Sequence, residues 1–180
     1  MDNPRHFKTG DFHSHASVLP HEAFGLILDN LVVASVDCMV VDSQGKMLLV
    51  KRALEPNAEK FWIVGGLMQP GETFEATAQR VLEEKIRLGI SETNRFKFLN
   101  VHSYVWARRE QALQENGCHI LAITMAVIIT EEEVLRAQPN DAYSEVEWRQ
   151  VEVVAIHGTY HPALRTCARD FLLSVQKIGK

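Results

Sequence analysis

One stretch of this sequence has residue types and spacing that could do chemistry: Gly65-Gly-Leu-Met-Gln-Pro-Gly-Glu72-Thr-Phe-Glu-Ala-Thr-Ala-Gln-Arg80-Val-Leu-Glu-Glu84-Lys-Ile-Arg-Leu-Gly89. It reads as a short strand, a glycine turn and a helix carrying acidic residues. Carboxylates and a loop carbonyl suit a hydrated divalent cation, which prefers hard oxygen ligands. A cation held there would bridge a diphosphate and offset charge developing on a leaving group. The plainer reading is a solvated acidic face. Glu83 and Arg87 then form an i,i+4 pair, a contact worth only about 0.3 kcal/mol.

Strands and helices must position such a unit, and both are legible around it. Phe24, Ile27, Leu28 and Leu31 have helical spacing, which predicts a helix over Pro20–Leu31. Val32–Val41 is β-branched and apolar on both faces, so it reads as a buried central strand. The Asp42–Gly45 turn returns the chain into Lys46–Arg52 as a hairpin. A polar loop, Ala53–Lys60, then leads to a short strand, Phe61–Val64. The helix over Thr73–Leu88 draws its buried stripe from Phe74, Ala78, Leu82 and Ile86. Beyond it come strands at Phe96–Trp106 and Cys118–Thr130, joined by a charged arm, Ala107–Gly117, expected to be exposed. A short helix (Glu131–Ala137), a strand (Val146–Val151) and an amphipathic helix (Pro162–Lys177) complete the reading. Interleaved strands and helices predict an α/β domain with a mixed β-sheet between helical layers. It spans 19–178, after a loose N-terminal extension, 1–18. His13 and His15 in that extension could bind a metal, but in a flexible tail the bland reading is favoured.

Bulk composition narrows the partners. The 180 residues are 46% hydrophobic, enough for one core, and the net charge is −4. A pI of about 6.1 gives no footprint for a nucleic-acid polymer, while a small anion needs only a few local cations. Cys38, Cys118 and Cys167 are odd in number and widely spaced, so they read as free thiols of a reducing compartment. There is no apolar run of membrane-spanning length and no apolar signal core, which points to a cytoplasmic location without a membrane partner.

The acidic stretch resembles the Nudix box, in which a glycine, five residues, a glutamate and seven residues precede Arg-Glu-x-x-Glu-Glu-x-Gly. Gly66, Glu72, Arg80 and Glu84 fall on its fixed positions without a gap. The approach, Lys51-Arg52 and Phe61-Trp62-Ile-Val-Gly-Gly, is similar too. The resemblance implies a Nudix-type α/β/α sandwich and a substrate containing a nucleoside diphosphate linked to another group. From about Leu19 to Leu173 the chain is most similar to the GDP-mannose mannosyl hydrolases, which use water to attack the sugar carbon. That likeness implies catalytic roles for Asp37, Arg52 and Arg80, with Asp37 and Arg52 also touching substrate. It implies a metal, Mg²⁺ with Mn²⁺ as the alternative, at Gly66 and Glu84. It places Ala142 and Tyr143 where those enzymes carry a glutamine ligand and a histidine base, so Tyr143 takes the base position. His161, Arg165 and Phe171 echo the last helix, and a homodimer through the N-terminal helix is implied.

The chain departs from that pattern at the metal. The first helical glutamate of the box is Val81, the second of its glutamate pair is Lys85, and the glycine after it is Arg87. Positions 81, 84 and 85 share one helical face, since side chains three and four residues apart stack. An ammonium roughly 4 Å from a dication, at an effective dielectric of roughly 20, opposes it by about 8 kcal/mol. A tyrosine, with a reference pKa of roughly 10, is a weak general base near neutrality. His102 and His119 are the nearest histidines in sequence, and His119, in an apolar strand, reads as a packed one. Three functions follow: a nucleotide-sugar hydrolase acting at carbon; a homologue that binds nucleoside diphosphates through Arg52 and Lys85 without hydrolysis; or a Nudix pyrophosphohydrolase attacking phosphorus.

Overall fold

In the computed structural model, residues 3–178 are described. Strand β1 (Val33–Val41) is buried from Ser35 onward, as its two-sided apolar pattern requires. It pairs in parallel with β6 (Cys118–Ile128) and antiparallel with β2 (Lys46–Arg52) and β4 (Val64–Leu67). The sheet runs β3-β2-β1-β6-β5, with β3 at Phe61–Trp62 and β5 at Lys97–Trp106; β7 (Tyr143–Gln150) adds to β2. Successive strand side chains point to opposite faces, so β1 feeds two cores. Val36, Cys38 and Val40 pack with Ala78, Val81, Leu82 and Ile86 of α2 (Phe74–Ile86). Met39 and Val41 pack with Leu164, Ala168 and Phe171 of α5 (Pro162–Ile178). The mixed sheet between helical layers is the α/β/α arrangement expected. Among the described residues, no helix is long and apolar enough to cross a membrane.

Four local expectations are corrected. Gly65-Gly66 is not a turn but the middle of β4, with Gly65 opposite Asp37 and Gly66 opposite Val36. Strand β7 starts at Tyr143, three residues before the expected Val146, because it pairs with β2 as far as Arg52. The β-branched run after Gln150 is a helix, α4 (Val151–Ile156), burying Val151, Val154 and Ala155. The arm between β5 and β6 is not wholly exposed: the Arg109 side chain is 1% exposed, clamped to Asp29 at 2.7 Å and to the carbonyls of Ala112 and Gly117. Asp29 lies in α1 (His21–Asn30). Charges in a polar arm are ordinarily solvated, but satisfying a guanidinium with a carboxylate and carbonyls makes its burial tolerable.

Helix α2 starts at Thr73, whose hydroxyl accepts from the Ala76 amide at 3.1 Å, and ends at Arg87 in the left-handed region, φ 54°. The Leu88 amide donates to the Leu82 carbonyl at 3.2 Å and the Arg87 amide to Glu83 at 3.0 Å. This is a left-handed helix end, the Arg87 amide closing back on Glu83, where glycine is the favoured residue. Arg87→Gly should therefore stabilise the chain by about 1 kcal/mol, raising the melting temperature by about 3 °C. A lower melting temperature for this variant would contradict that reading of the helix end.

Residues 3–20 carry neither helix nor strand and are exposed from Arg5 onward. They are tied down at Asn3, whose side-chain amide donates to Glu75 at 2.8 Å and whose carbonyl oxygen accepts from the Phe98 amide at 2.9 Å. Phe12 covers Gly71, so closely that a Cβ there would lie 2.7 Å from its ring. Met1 and Asp2 of the expected extension lie outside the described residues.

Candidate functional site

A cavity of about 740 Å³ opens over β1, β4 and α2, bounded by α1, the Arg52–Asn57 loop and the Arg109–Gln111 arm. Asp37, Arg52, Gly66, Arg80, Glu84 and Lys85 all line it, so six of the residues singled out in the sequence converge. Tyr143 is not among the lining residues; it is 9% exposed and packs in the α2-side core. Burial pushes its hydroxyl up to about 12, against the pull of Arg52 and the Gly65 amide, so it stays protonated near neutrality. His102 and His119 do not line the cavity either. His102 meets the Tyr104 hydroxyl at 3.3 Å and His119 the Ser103 hydroxyl at 2.8 Å. His161 meets Trp62 edge-on, ring centroids 5.3 Å apart, but is likewise not part of the lining.

Asp37 sits at the base of the cavity, 7% exposed. The register of β1 against β4 sets its carboxylate on Gly65, where any Cβ would collide with Oδ1. Oδ2 accepts from the Trp62 indole at 3.3 Å. Burial raises the Asp37 carboxyl to about 6, opposed by the Trp62 hydrogen bond and the Arg52 charge. A carboxylate that titrates near 6 is mostly ionised at neutral pH yet a better base than an ordinary one, which suits it to taking a proton.

The opposite character gathers on the loop after β2. The Arg52 Nε and the Asn57 side-chain amide nitrogen are both buried without a hydrogen-bond partner. Asn57 holds a left-handed backbone, φ 68°, a conformation asparagine tolerates better than most residues. Lys85, on the α2 face of the cavity, makes no side-chain ion pair among the described residues; only its carbonyl is engaged, by the Asn140 amide at 2.8 Å. Three donors with no internal acceptor call for an acceptor-rich ligand. Arg52→Ala should weaken binding of GDP about 10- to 100-fold by calorimetry, the range for charge-assisted contacts to phosphate. Unchanged affinity in the folded variant would remove Arg52 from the site.

Arg80 has a different duty. Its guanidinium forks onto Glu72 at 2.6 and 2.8 Å, reaches the Leu67 carbonyl at 2.9 Å and touches Glu84 at 3.2 Å. Burial works against the Glu72 charge, but Arg80, the Gln69 amide and Thr77 prevail and hold it at about 2. Arg80 thus ties the loop after β4 to α2 and positions the cavity wall.

The residues present do not fit a divalent cation of the expected kind. Val81 is buried against Gly66, a Cβ there lying 2.7 Å from its Cγ2. The carboxylates of the loop and helix, Glu72 and Glu84, are both bound by Arg80, and Lys85 lines the cavity beside Glu84. Among the described residues no three His, Cys, Asp or Glu side chains gather as a ligand set.

Sequence reasoning missed Asn57 and an aromatic wall. Trp62, Tyr104 and Trp106 line the cavity with ring centroids 5.4–5.7 Å apart, giving a nucleobase or sugar ring an apolar surface. The signal was the alternation of Tyr104 and Trp106 on one strand face.

The NUDIX domain family matches residues 32–171. The fold is similar to a MutT protein from Methanosarcina mazei Go1 (TM-score 0.62, 16% identity, covering 79% of this chain and 94% of that one). It is similar to the NUDIX domain of Shewanella oneidensis NrtR complexed with ADP ribose (TM-score 0.54, 20% identity, 82% and 97% covered). It also resembles a MutT/nudix family protein from Enterococcus faecalis (TM-score 0.52, 19% identity); there 66% of this chain is covered and only 44% of the larger chain.

Proposed function

Since this chain belongs to the Nudix hydrolase family, we propose that it hydrolyses a nucleotide sugar at the glycosidic carbon, in the manner of a GDP-mannose mannosyl hydrolase, with Asp37 as the base. One observation carries this reading: a proton-accepting carboxylate and an unpaired guanidinium, Arg52, line one cavity beside an aromatic wall. The ADP ribose bound by the Shewanella relative is itself a nucleoside diphosphate joined to a sugar, which supports the substrate class.

Asp37 takes a proton from water, and the water oxygen bonds to the anomeric carbon. The bond from that carbon to the diphosphate oxygen breaks, and its electron pair leaves with the nucleoside diphosphate. Arg52 meets the growing negative charge, where a fixed donor in a partly dry site is worth most. Trp62 holds the Asp37 carboxylate in place, and Arg80 holds the wall. Nudix hydrolases typically use a divalent metal; since the donor set here does not fit one, no step is assigned to it. The homodimer implied by the resemblance belongs to this proposal, through α1, where Leu26 is exposed and Leu31 just beyond it is exposed too.

A second reading, binding without turnover, is favoured by Val81 and Lys85 on the helix face where the box carries carboxylates. A panel of nucleotide sugars, GDP-mannose first, separates the readings. Equimolar nucleoside diphosphate and free sugar is the expected product pair. Nucleoside monophosphate with sugar phosphate would mean attack at phosphorus. Tight binding with no product would establish the second reading.

A further inference from the structure

We infer that this chain grips the diphosphate of its nucleotide directly, through Lys85 and Arg52 with Asn57 beside them, and without a divalent cation between protein and phosphate. The inference rests on the proposed substrate class and deepens it. Four cationic side chains line the cavity: Arg52, Arg80, Lys85 and Arg109. Arg80 is neutralised by Glu72 and Glu84, and Arg109 by Asp29. Among the described residues Arg52 and Lys85 have no carboxylate partner, so the free positive charge of the cavity is theirs.

Arg52 and Asn57 also carry donors that need an acceptor the protein does not supply. Arg52 Nε and the Asn57 amide nitrogen are both cut off from water and unpaired, a rare condition for buried polar groups unless a ligand completes them. Phosphate oxygens accept several hydrogen bonds at once, which suits a planar guanidinium and an ammonium with three rotatable donors. Lys85 stands on the helix position where the family's box carries a glutamate, and Val81 fills another with hydrocarbon packed on Gly66. The charge a metal would bring between carboxylates and phosphate is here built into the chain. The diphosphate then meets one lysine from α2, a guanidinium from the end of β2 and an amide from the loop that follows.

Calorimetry with GDP and with inorganic pyrophosphate, each in EDTA and in Mg²⁺, tests this on wild type, Lys85→Met, Lys85→Glu and Asn57→Ala, all checked for folding by thermal melt. Wild type should bind both probes in EDTA with affinity within about twofold of that in Mg²⁺. Lys85→Met should weaken both by about tenfold or more in either buffer, Asn57→Ala by less. Lys85→Glu should bind only when Mg²⁺ is present. Binding by wild type that requires Mg²⁺, or an unchanged affinity of Lys85→Met in EDTA, would overturn the inference while leaving the substrate class intact. Metal-free pyrophosphate binding through Lys85 with no affinity for GDP or other nucleotides would uphold it and sink the substrate class instead. No binding of either probe in any buffer would overturn both.

Discussion

Asp37→Asn is expected to abolish turnover and at the same time make the protein more stable at pH 8. The rate loss follows from removing the buried lining carboxylate that is raised toward neutrality, and general bases contribute about 10²–10⁴-fold. The gain in stability follows from burial. The Asp37 carboxyl is raised to about 6 from an ordinary value of 3.8, so the folded chain prefers its protonated form. That preference stabilises fully below about pH 4 and is lost as pH rises through about 6. Two units correspond to about 3 kcal/mol, an upper figure for what the charge costs at pH 8. Asparagine keeps an oxygen for the Trp62 indole and carries no charge. The variant should therefore melt several degrees higher than wild type at pH 8, with the gap narrowing below about pH 6 and closing below about pH 4. The other ionisable groups that feel the Asp37 charge, Cys38, Tyr104, Tyr143 and Cys167, are all pushed upward. None of them titrates near 6, so the wild-type rate should rise with pH through that value. A stability difference that does not vary with pH would separate Asp37 from this account.

Arg109→Ala should produce the largest loss of stability of any variant considered. The guanidinium is 1% exposed and ties three segments together: Asp29 on α1, the Gln111 and Ala112 carbonyls of the arm, and the Gly117 carbonyl at the start of β6. Gly25 lets the arm come this close, since a Cβ there would meet the Ala112 oxygen at 2.5 Å. Removing one partner of a buried charged network typically destabilises by about 3–5 kcal/mol. For a chain of this size that lowers the melting temperature by about 10 °C. Asp29 sits at the water-exposed end and can resolvate; the stranded carbonyls cannot. Arg109, Glu110 and Gln111 line the cavity, so GDP affinity should fall as well. Arg109→Lys keeps the charge but not the fork and should fall between wild type and alanine. A melting temperature within a degree of wild type for the alanine variant would show that the arm is held by something else.

The layers and central strand were legible because β1 is apolar at consecutive positions and α2 repeats its apolar residues every fourth place. Those patterns are set by burial, which sequence records directly. The site was legible in part. Arg80 and Glu72 were both picked out by the Nudix resemblance, and the structure joins them at 2.6 Å. Asp37 could be singled out only by that resemblance, since one aspartate in an apolar strand says nothing about the glycine opposite. Gly65-Gly66 looked like a turn because paired glycines are turn residues; what demands them is the closeness of Asp37 and Val81 from other elements. Arg109 was lost among exposed charges because its partners lie 80 residues back in α1 and in carbonyls that sequence does not display. Asn57 was hidden for the reverse reason: an asparagine in a polar loop is ordinary until its amide is found buried and unpaired. Tyr143 shows the limit of positional transfer, being paired with Arg52 in the sheet yet turned into the core.

Hydrolysis carried out in ¹⁸O-labelled water, with the products weighed by mass spectrometry, tests the central claim most directly. The account predicts label in the released sugar and an unlabelled nucleoside diphosphate, because water attacks carbon and the diphosphate leaves with its own oxygen. Label in a phosphate of either product would contradict it.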